Sequence, residues 1–367
     1  MDIAYEHYLY LHTIPELSGK EYKTSEYVRK TLEEMGYTPK IIGKTGVVAD
    51  LVTDAALPWI ILRSDLDALP VMENSGVPQP STHPGVMHAC GHDSHMAMLL
   101  AAAKEFKGRQ LPQNIRFLFQ YAEETTQGAS EMIELGALPD NLCAVFGMHV
   151  WPGVPQGEIA TRVGPLMASS DMFKIVISGR SAHCGQRHLG ADALLTAVDL
   201  VKAFPEIQSA AKDPEAVLFC GNLESGHSHN VVPDSATIRG TIRTFDPADR
   251  RAIKEKLVRY AATAAENHGT TAEVLWEGGC PPVCNDENLI RHLQALIPDM
   301  DLSVSKTFVA EDFSCYQEKA PGVLLWLGTG NTAPLHNDHF CVPQEILPAG
   351  VRNWILIATE NWKERER

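Results

Sequence analysis

Over residues 20–35 (KEYKTSEYVRKTLEEM), Tyr22, Val28, Leu32 and Met35 recur at helical spacing and Gly36 supplies a stop, so the pattern predicts a helix. The chain then changes to short runs rich in β-branched and aromatic residues, at Gly46 to Leu51, Trp59 to Leu62, Ile115 to Tyr121 and Ala144 to Val150. Helical stretches at His92 to Lys107 and around Gly128 to Leu135 separate the last three runs. Strands alternating with helices predict an α/β fold with a mostly parallel sheet flanked by helices on both faces. In such sheets ligands gather just beyond the carboxyl ends of the strands. Polar residues stand at those ends: Asp65 and Asp67 after the first of the three, Glu123 and Glu124 after the second, His149 near the end of the third.

From about Gly164 the order changes. A strand at Asp171 to Ser178 is followed by a helix at Ala191 to Phe204, strands at Ala216 to Gly221 and Ala236 to Thr244, a helix at Pro247 to His268 and a strand at Thr271 to Trp276. β-α-β-β-α-β is the order of a ferredoxin-like unit with an antiparallel sheet. After Gly278-Gly279 the first pattern resumes, with a strand at Val323 to Leu327 and a closing helix from Glu345. The expected organisation is a main domain from residues 1–163 and 278–367, carrying an inserted domain at residues 164–277.

Composition narrows the functional classes. A chain of 367 residues exceeds most single cores, which agrees with two domains, and 44% hydrophobic residues supply enough apolar material for both. The net charge of −15, with no basic cluster in the sequence, argues against a nucleic-acid partner. No apolar run approaches the roughly 18 to 20 residues needed to span a bilayer. The start, Met1-Asp2-Ile3-Ala4-Tyr5-Glu6, does not read as a secretory signal, so a cytoplasmic protein is expected. Eight scattered cysteines then read as reduced thiols, most of them small buried hydrophobes.

Cys90 stands apart. His88-Ala89-Cys90-Gly91-His92-Asp93-Ser94-His95 concentrates three imidazoles, a thiol and a carboxylate just before an apolar helix, whose N-terminus favours the thiolate. Thiolate with imidazole suits zinc or a similar transition metal. Glu123-Glu124 closes a buried strand, and adjacent carboxylates there call for a nearby cation or one raised pKa. One of the two suits metal binding and the other general-base work on water. Gly147-Met148-His149-Val150 and Leu335-His336-Asn337-Asp338-His339 add imidazoles. Elsewhere His7, His12, His268 and His292 read as structural.

HACGHDSHMA (88–97), YAEE (121–124), GMHV (147–150), GRSAHCG (179–185), HNVVPD (229–234), GTIRT (240–244), EDF (311–313) and LHNDHF (335–340) run in this order, with HTIPEL (12–17) and RSDLDALP (63–70) before them. As a set, and essentially end to end, they resemble the M20 family of metallopeptidases, in its aminoacylase and amidohydrolase branch with hippurate, auxin-conjugate and N-acetyl-diaminopimelate hydrolases. The resemblance implies two divalent metal ions (zinc, manganese, cobalt or nickel) held by Cys90, His92, Glu124, His149 and His336, with Cys90 bridging and Glu123 as general base. It implies that Asp67 orients the site and that His183, Asn230 and Arg243 line the substrate cleft from the inserted domain, which would serve as lid and homodimer interface. The reaction implied is hydrolysis of the amide bond of N-acyl amino acids. Departures fall at Tyr121 and Thr125, where related chains read proline and glycine, and at Ser181-Ala182-His183-Cys184-Gly185, where they read Gly-Gly-His-Gly-Ala. A dipeptidase or carboxypeptidase of the same family is the main alternative. A thiol hydrolase pairing Cys90 with His92 or His95, and a metal-binding protein without catalysis, are more remote.

Overall fold

The computed structural model describes residues 3–362. Helices α1 (Ile3–Thr13) and α2 (Tyr22–Glu34) lead into strands β1 (Lys40–Ile42), β2 (Gly46–Leu51) and β3 (Trp59–Asp65). Then come α3 (His92–Phe106), β4 (Asn114–Gln120), α4 (Gly128–Glu134) and β5 (Leu142–Pro152). The middle of the chain forms β6 (Ser170–Ser178), α5 (Ala193–Lys202), β7 (Val217–Ser225), β8 (Ser235–Arg243), α6 (Pro247–His268) and β9 (Thr271–Cys280). α7 (Glu287–Leu296), β10 (Gly322–Gly330) and α8 (Leu347–Thr359) complete it. Among the described residues two compact units result: the first takes Ile3 to Leu166, Val283–Ser305 and Asp312 to Trp362, the second Met167–Pro282 and Lys306–Glu311. Nothing in the sequence pattern signals that the short segment Lys306–Glu311 groups with the second unit.

The first unit is built on a sheet ordered β1-β2-β4-β3-β5-β10, with the short strand Ile159–Ala160 on its far edge. β4, β3, β5 and β10 run parallel, while β1, β2 and Ile159–Ala160 pair antiparallel. The mostly parallel sheet read from the strand-helix alternation is therefore present. β3 and β10 are buried nearly throughout, as strands covered on both faces must be. α3 is buried along almost its whole length. It packs against α8 at Gly350, where a Cβ would lie 2.0 Å from Met98 Sδ, so any larger residue there would have to displace the Met98 side chain. Each fully buried leucine of α3, such as Leu99 or Leu100, contributes about 1.5–3 kcal/mol by leaving water.

The second unit has the strand order β9-β6-β8-β7, antiparallel throughout, which with the order β6-α5-β7-β8-α6-β9 is the ferredoxin-like arrangement. Phe173, Ile175 and Ile177 of β6 pack with Leu200 of α5 and Ile253 and Leu257 of α6 in its core. α6 starts at an Asp246 cap with Pro247 in the first turn and ends at Gly269 in the left-handed region, φ 65°. Among the described residues no helix is long and apolar enough to cross a membrane.

A buried ionic triad ties α1 to α3. His12 donates from Nδ1 to Asp93 Oδ2 at 2.6 Å and from Nε2 to Glu73 Oε1 at 3.0 Å. Burial opposes the charge on His12, but the two carboxylates outweigh it and lift the pKa to about 10. Burial likewise works against the Glu73 carboxylate, and its hydrogen bonds to His12 and Ser75 overcome this and hold it down at about 2. His12 has a raised pKa in the fold, so its contribution is complete below 6.5 and is lost as pH rises through about 10. Glu73 has a depressed one, so its contribution is complete above 4.5 and is lost as pH falls through about 2. The triad is at full strength between those limits, near pH 6. There His12→Ala is expected to cost ~3–5 kcal/mol, because it strands two buried carboxylates. Denaturant melts at pH 6 check this, and an unchanged midpoint would refute it.

Candidate metal centre

The four adjacent parallel strands present their carboxyl ends together, and the candidate residues sit there. Asp67 follows β3, Glu123 and Glu124 follow β4, His149 is in the last part of β5, and His336 lies in the loop after β10. Cys90 and His92 come from the entry to α3, separated by Gly91 at φ 86°. A Cβ on Gly91 would lie 2.4 Å from Val150 Cγ2, so the turn that brings Cys90 beside His92 requires glycine. Gly128 is equally constrained, since its Cβ would lie 1.6 Å from the Tyr121 carbonyl oxygen; it closes the loop that carries the acid pair.

The donor atoms converge. Cys90 Sγ lies 3.4 Å from His149 Nε2, and His336 Nε2 lies 3.5 Å from Glu124 Oε2. His92 Nε2 lies 3.9 Å from both Glu123 Oε2 and Glu124 Oε1. Two triads, Cys90-His92-His149 and Cys90-Glu124-His336, each keep their donor atoms within 4.8 Å of one another, and Cys90 belongs to both. Their tautomers are set from behind: His92 donates from Nδ1 to the Asp67 carbonyl at 2.8 Å and His149 from Nδ1 to the Val150 carbonyl at 2.7 Å. Each therefore turns Nε2 towards the cluster, the usual way an outer hydrogen bond orients a metal-binding imidazole. His92 Nε2 and Glu124 Oε1 are buried without a hydrogen-bond partner. Buried polar atoms are normally satisfied. Two left unsatisfied and facing each other, in a set of one thiol, three imidazoles and carboxylates, fit a transition-metal ion.

Electrostatics agree. Burial lifts the Glu124 carboxyl to about 7, Asp67 adding to the lift against the pull of His92. Burial works against a charge on His92, yet Asp65, Asp67 and Glu124 raise it to about 10. Ligand groups shifted in this way would give up a proton to a bound cation. Burial drives His149 well below its ordinary value and lowers His336, leaving neutral imidazoles ready to donate lone pairs.

Asp67 accepts at Oδ2 from Ser18 Oγ at 2.7 Å and from the Glu124 amide at 3.0 Å, which fixes the acid loop from below. Asp65 and His95, which sequence reasoning left without roles at the metal, form a fixed pair: His95 donates from Nδ1 to Asp65 Oδ1 at 2.7 Å, and its Nε2 accepts from the Val150 amide at 2.9 Å. With both nitrogens engaged, His95 cannot act as base for Cys90, so that part of the thiol-hydrolase alternative fails. The i, i+3 spacing of His92 and His95 on α3 was the available signal that both face the strand ends. Arg63 binds Asp65 at 2.8 Å and Asp312 at 3.0 Å, and Gln120 donates to Asp312 at 2.6 Å, so the EDF motif anchors the underside of β3 and β4.

The second unit carries His183, Asn230 and Arg243. His183 is exposed; its Nδ1 accepts from the Gly185 amide at 3.1 Å, which leaves a proton on Nε2. Asn230 stands next to it, its carbonyl accepting from the Cys184 amide at 3.0 Å. Arg243, at the end of β8, donates to the Ser169 carbonyl at 3.4 Å, and burial pulls its pKa below the ordinary value.

The signature of peptidase family M20/M25/M40 matches residues 61–360. The chain is similar to N-acetyl-L-cysteine deacetylase of Bacillus subtilis (strain 168), with 38% identity over 343 residues that cover 91% of this chain and 82% of the relative. It is also similar to thermostable carboxypeptidase 2 of Saccharolobus solfataricus, at 36% identity over 95% of this chain and 92% of the relative. Among solved structures, a dinuclear metal-binding peptidase of the M20 family from Bacillus subtilis superimposes with a TM-score of 0.83 at 34% identity, over 97% of this chain and 96% of that one.

Proposed function

The chain belongs to peptidase family M20/M25/M40 and is a metal-dependent amidohydrolase, and from that premise we propose that it hydrolyses the amide bond of N-acyl amino acids, N-acetyl amino acids first among them. The observation that carries this reading is the pair of buried, unpartnered donor atoms, His92 Nε2 and Glu124 Oε1, facing each other beside a second carboxylate, Glu123. The choice of acyl group leans on the deacetylase relative. We read Cys90, His92, Glu124, His149 and His336 as ligands of two divalent ions, of the zinc, manganese, cobalt or nickel class, with Cys90 bridging. When bound, such ions polarise the scissile carbonyl and lower the pKa of water. Asp67 holds the carbonyl contact that orients His92 and the amide contact that places Glu124. Glu123 takes the proton of the attacking water and returns it to the leaving amine. His183 donates from Nε2 to the oxyanion. Arg243 offers a fork that matches the free carboxylate of the amino acid, and Asn230 a side-chain amide that can hydrogen-bond the substrate.

The carboxypeptidase relatives favour one second reading, cleavage of a peptide's last residue. A screen of metal-reconstituted enzyme against N-acetyl amino acids and dipeptides separates the two. A kcat/KM at least roughly 10-fold higher for N-acetyl amino acids is expected, the scale that pocket contacts can discriminate; a preference for dipeptides would reverse the assignment. Activity that survives a chelator would dismiss the metal. We also propose a homodimer through the second unit, supported by Phe219 on the edge strand β7 and Leu194 and Leu195 on α5, all exposed. Sedimentation velocity reads this directly, and a purely monomeric protein would contradict it.

A further inference from the structure

Glu21 stands at the N-cap position of α2 and is 0% exposed, yet its carboxylate makes no capping hydrogen bond to the helix. Its Oε1 accepts from the Gly19 amide at 2.7 Å and from the Ala122 amide at 3.0 Å, and its Oε2 accepts from Thr45 Oγ1 at 2.6 Å. Ala122 immediately precedes the acid pair and has φ 53°, a left-handed conformation uncommon for any residue with a Cβ. Such backbone persists only where its surroundings hold it, and it gathers at functional sites. Within the loop, the Ala122 carbonyl accepts from Thr125 Oγ1 at 3.1 Å and from the Gly128 amide at 3.2 Å, while the Thr126 amide donates to the Glu123 carbonyl at 2.7 Å. From outside the loop, two carboxylates grip it around the acid pair: Glu21 at the Ala122 amide and Asp67 at the Glu124 amide. Asp67 belongs to the site already described. Glu21 reaches the loop from a different element.

We infer that Glu21 is a positioning residue, whose reach to the Ala122 amide holds the left-handed turn that aims Glu123 and Glu124. This rests on the reading of Glu123 as base and Glu124 as metal ligand. What matters is an acceptor oxygen at the right distance, not a charge. Glu21→Gln keeps the length and the acceptor, its amide N–H groups turning to the Thr45 hydroxyl. Glu21→Asp keeps the charge and is a preferred helix cap, so α2 survives, but it falls short of Ala122 by one methylene.

The test uses the full-length protein stripped of metal, titrated with Zn²⁺ against a chromophoric chelator, then assayed for kcat and KM per metal-loaded site on an N-acetyl amino acid. Glu21→Gln is expected to stay within about threefold of wild type in Zn²⁺ affinity and kcat. Glu21→Asp is expected to lose ~10–100-fold in Zn²⁺ affinity, the usual scale for outer partners of a metal site, and to lose kcat with KM moved less than threefold. A purely structural role would lower the melting temperature without splitting kcat from KM per loaded site. Impairment of Glu21→Gln overturns the proposal, and so does Glu21→Asp at wild-type values. The two readings fail separately: full turnover in Glu123→Gln would remove the base assignment, while the Zn²⁺ affinity of Glu21→Asp still reports on the turn.

Discussion

Glu123→Gln is expected to lower turnover by ~10²-fold or more while metal content stays at the wild-type level, the usual size of a lost general base. The side chain is buried, and its Oε2 lies 3.9 Å from His92 Nε2, beside the donor cluster. Gln preserves shape and one acceptor oxygen but puts an N–H donor in place of the other and cannot take a proton. Its neighbour should behave in the opposite way. Glu124 has its amide tied to Asp67, one carboxylate oxygen 3.5 Å from His336 Nε2 and the other unpartnered at 3.9 Å from His92 Nε2. That is the placement of a ligand, so Glu124→Gln should lose metal first and activity as a consequence. Metal analysis of both purified variants, alongside kcat at saturating metal, decides the matter. Metal retained in Glu124→Gln and lost in Glu123→Gln would show the two roles exchanged.

The strand-end logic made most of this site legible in advance. Asp67, Glu123, Glu124 and His149 could be picked out because polar residues directly after apolar β runs have few places to go in a parallel sheet except the carboxyl edge. Cys90 and His92 were legible from composition, since eight residues hold so many soft donors. His336 was weaker as a sequence signal, and its left-handed backbone, φ 66°, was invisible there. Among the elements, α1 escaped the pattern because its buried face carries His7, Tyr8 and His12 beside Ala4 and Leu11, so inner and outer positions look equally polar. β3 runs to Asp65 although its apolar run stops at Leu62: Arg63 and Asp65 are buried by pairing with each other and with Asp312, a compensation made 249 residues away. Glu21 illustrates the same limit. In sequence it is a charged residue before a helix; only the fold puts it under Ala122.

Cys90→Ser is expected to abolish high-affinity binding of both ions and, with it, activity. Cys90 belongs to two donor triads that share no other member, so losing it weakens both at once. Ser is nearly isosteric, but its hydroxyl does not ionise in the range where a thiol at a helix N-terminus does, and it is a hard donor in place of the thiolate that suits zinc-class ions. A competing account makes Cys90 a nucleophile with His149, 3.4 Å away, as its base. Both accounts predict a dead variant, so turnover alone cannot choose between them. Metal stoichiometry can. A nucleophile variant should bind its full complement of metal and still fail; a bridging ligand variant should bind neither ion tightly. Loss of one ion with the other held at wild-type affinity would mean that Cys90 serves a single site, and the bridge would have to be sought at Glu124, whose two oxygens face His92 and His336.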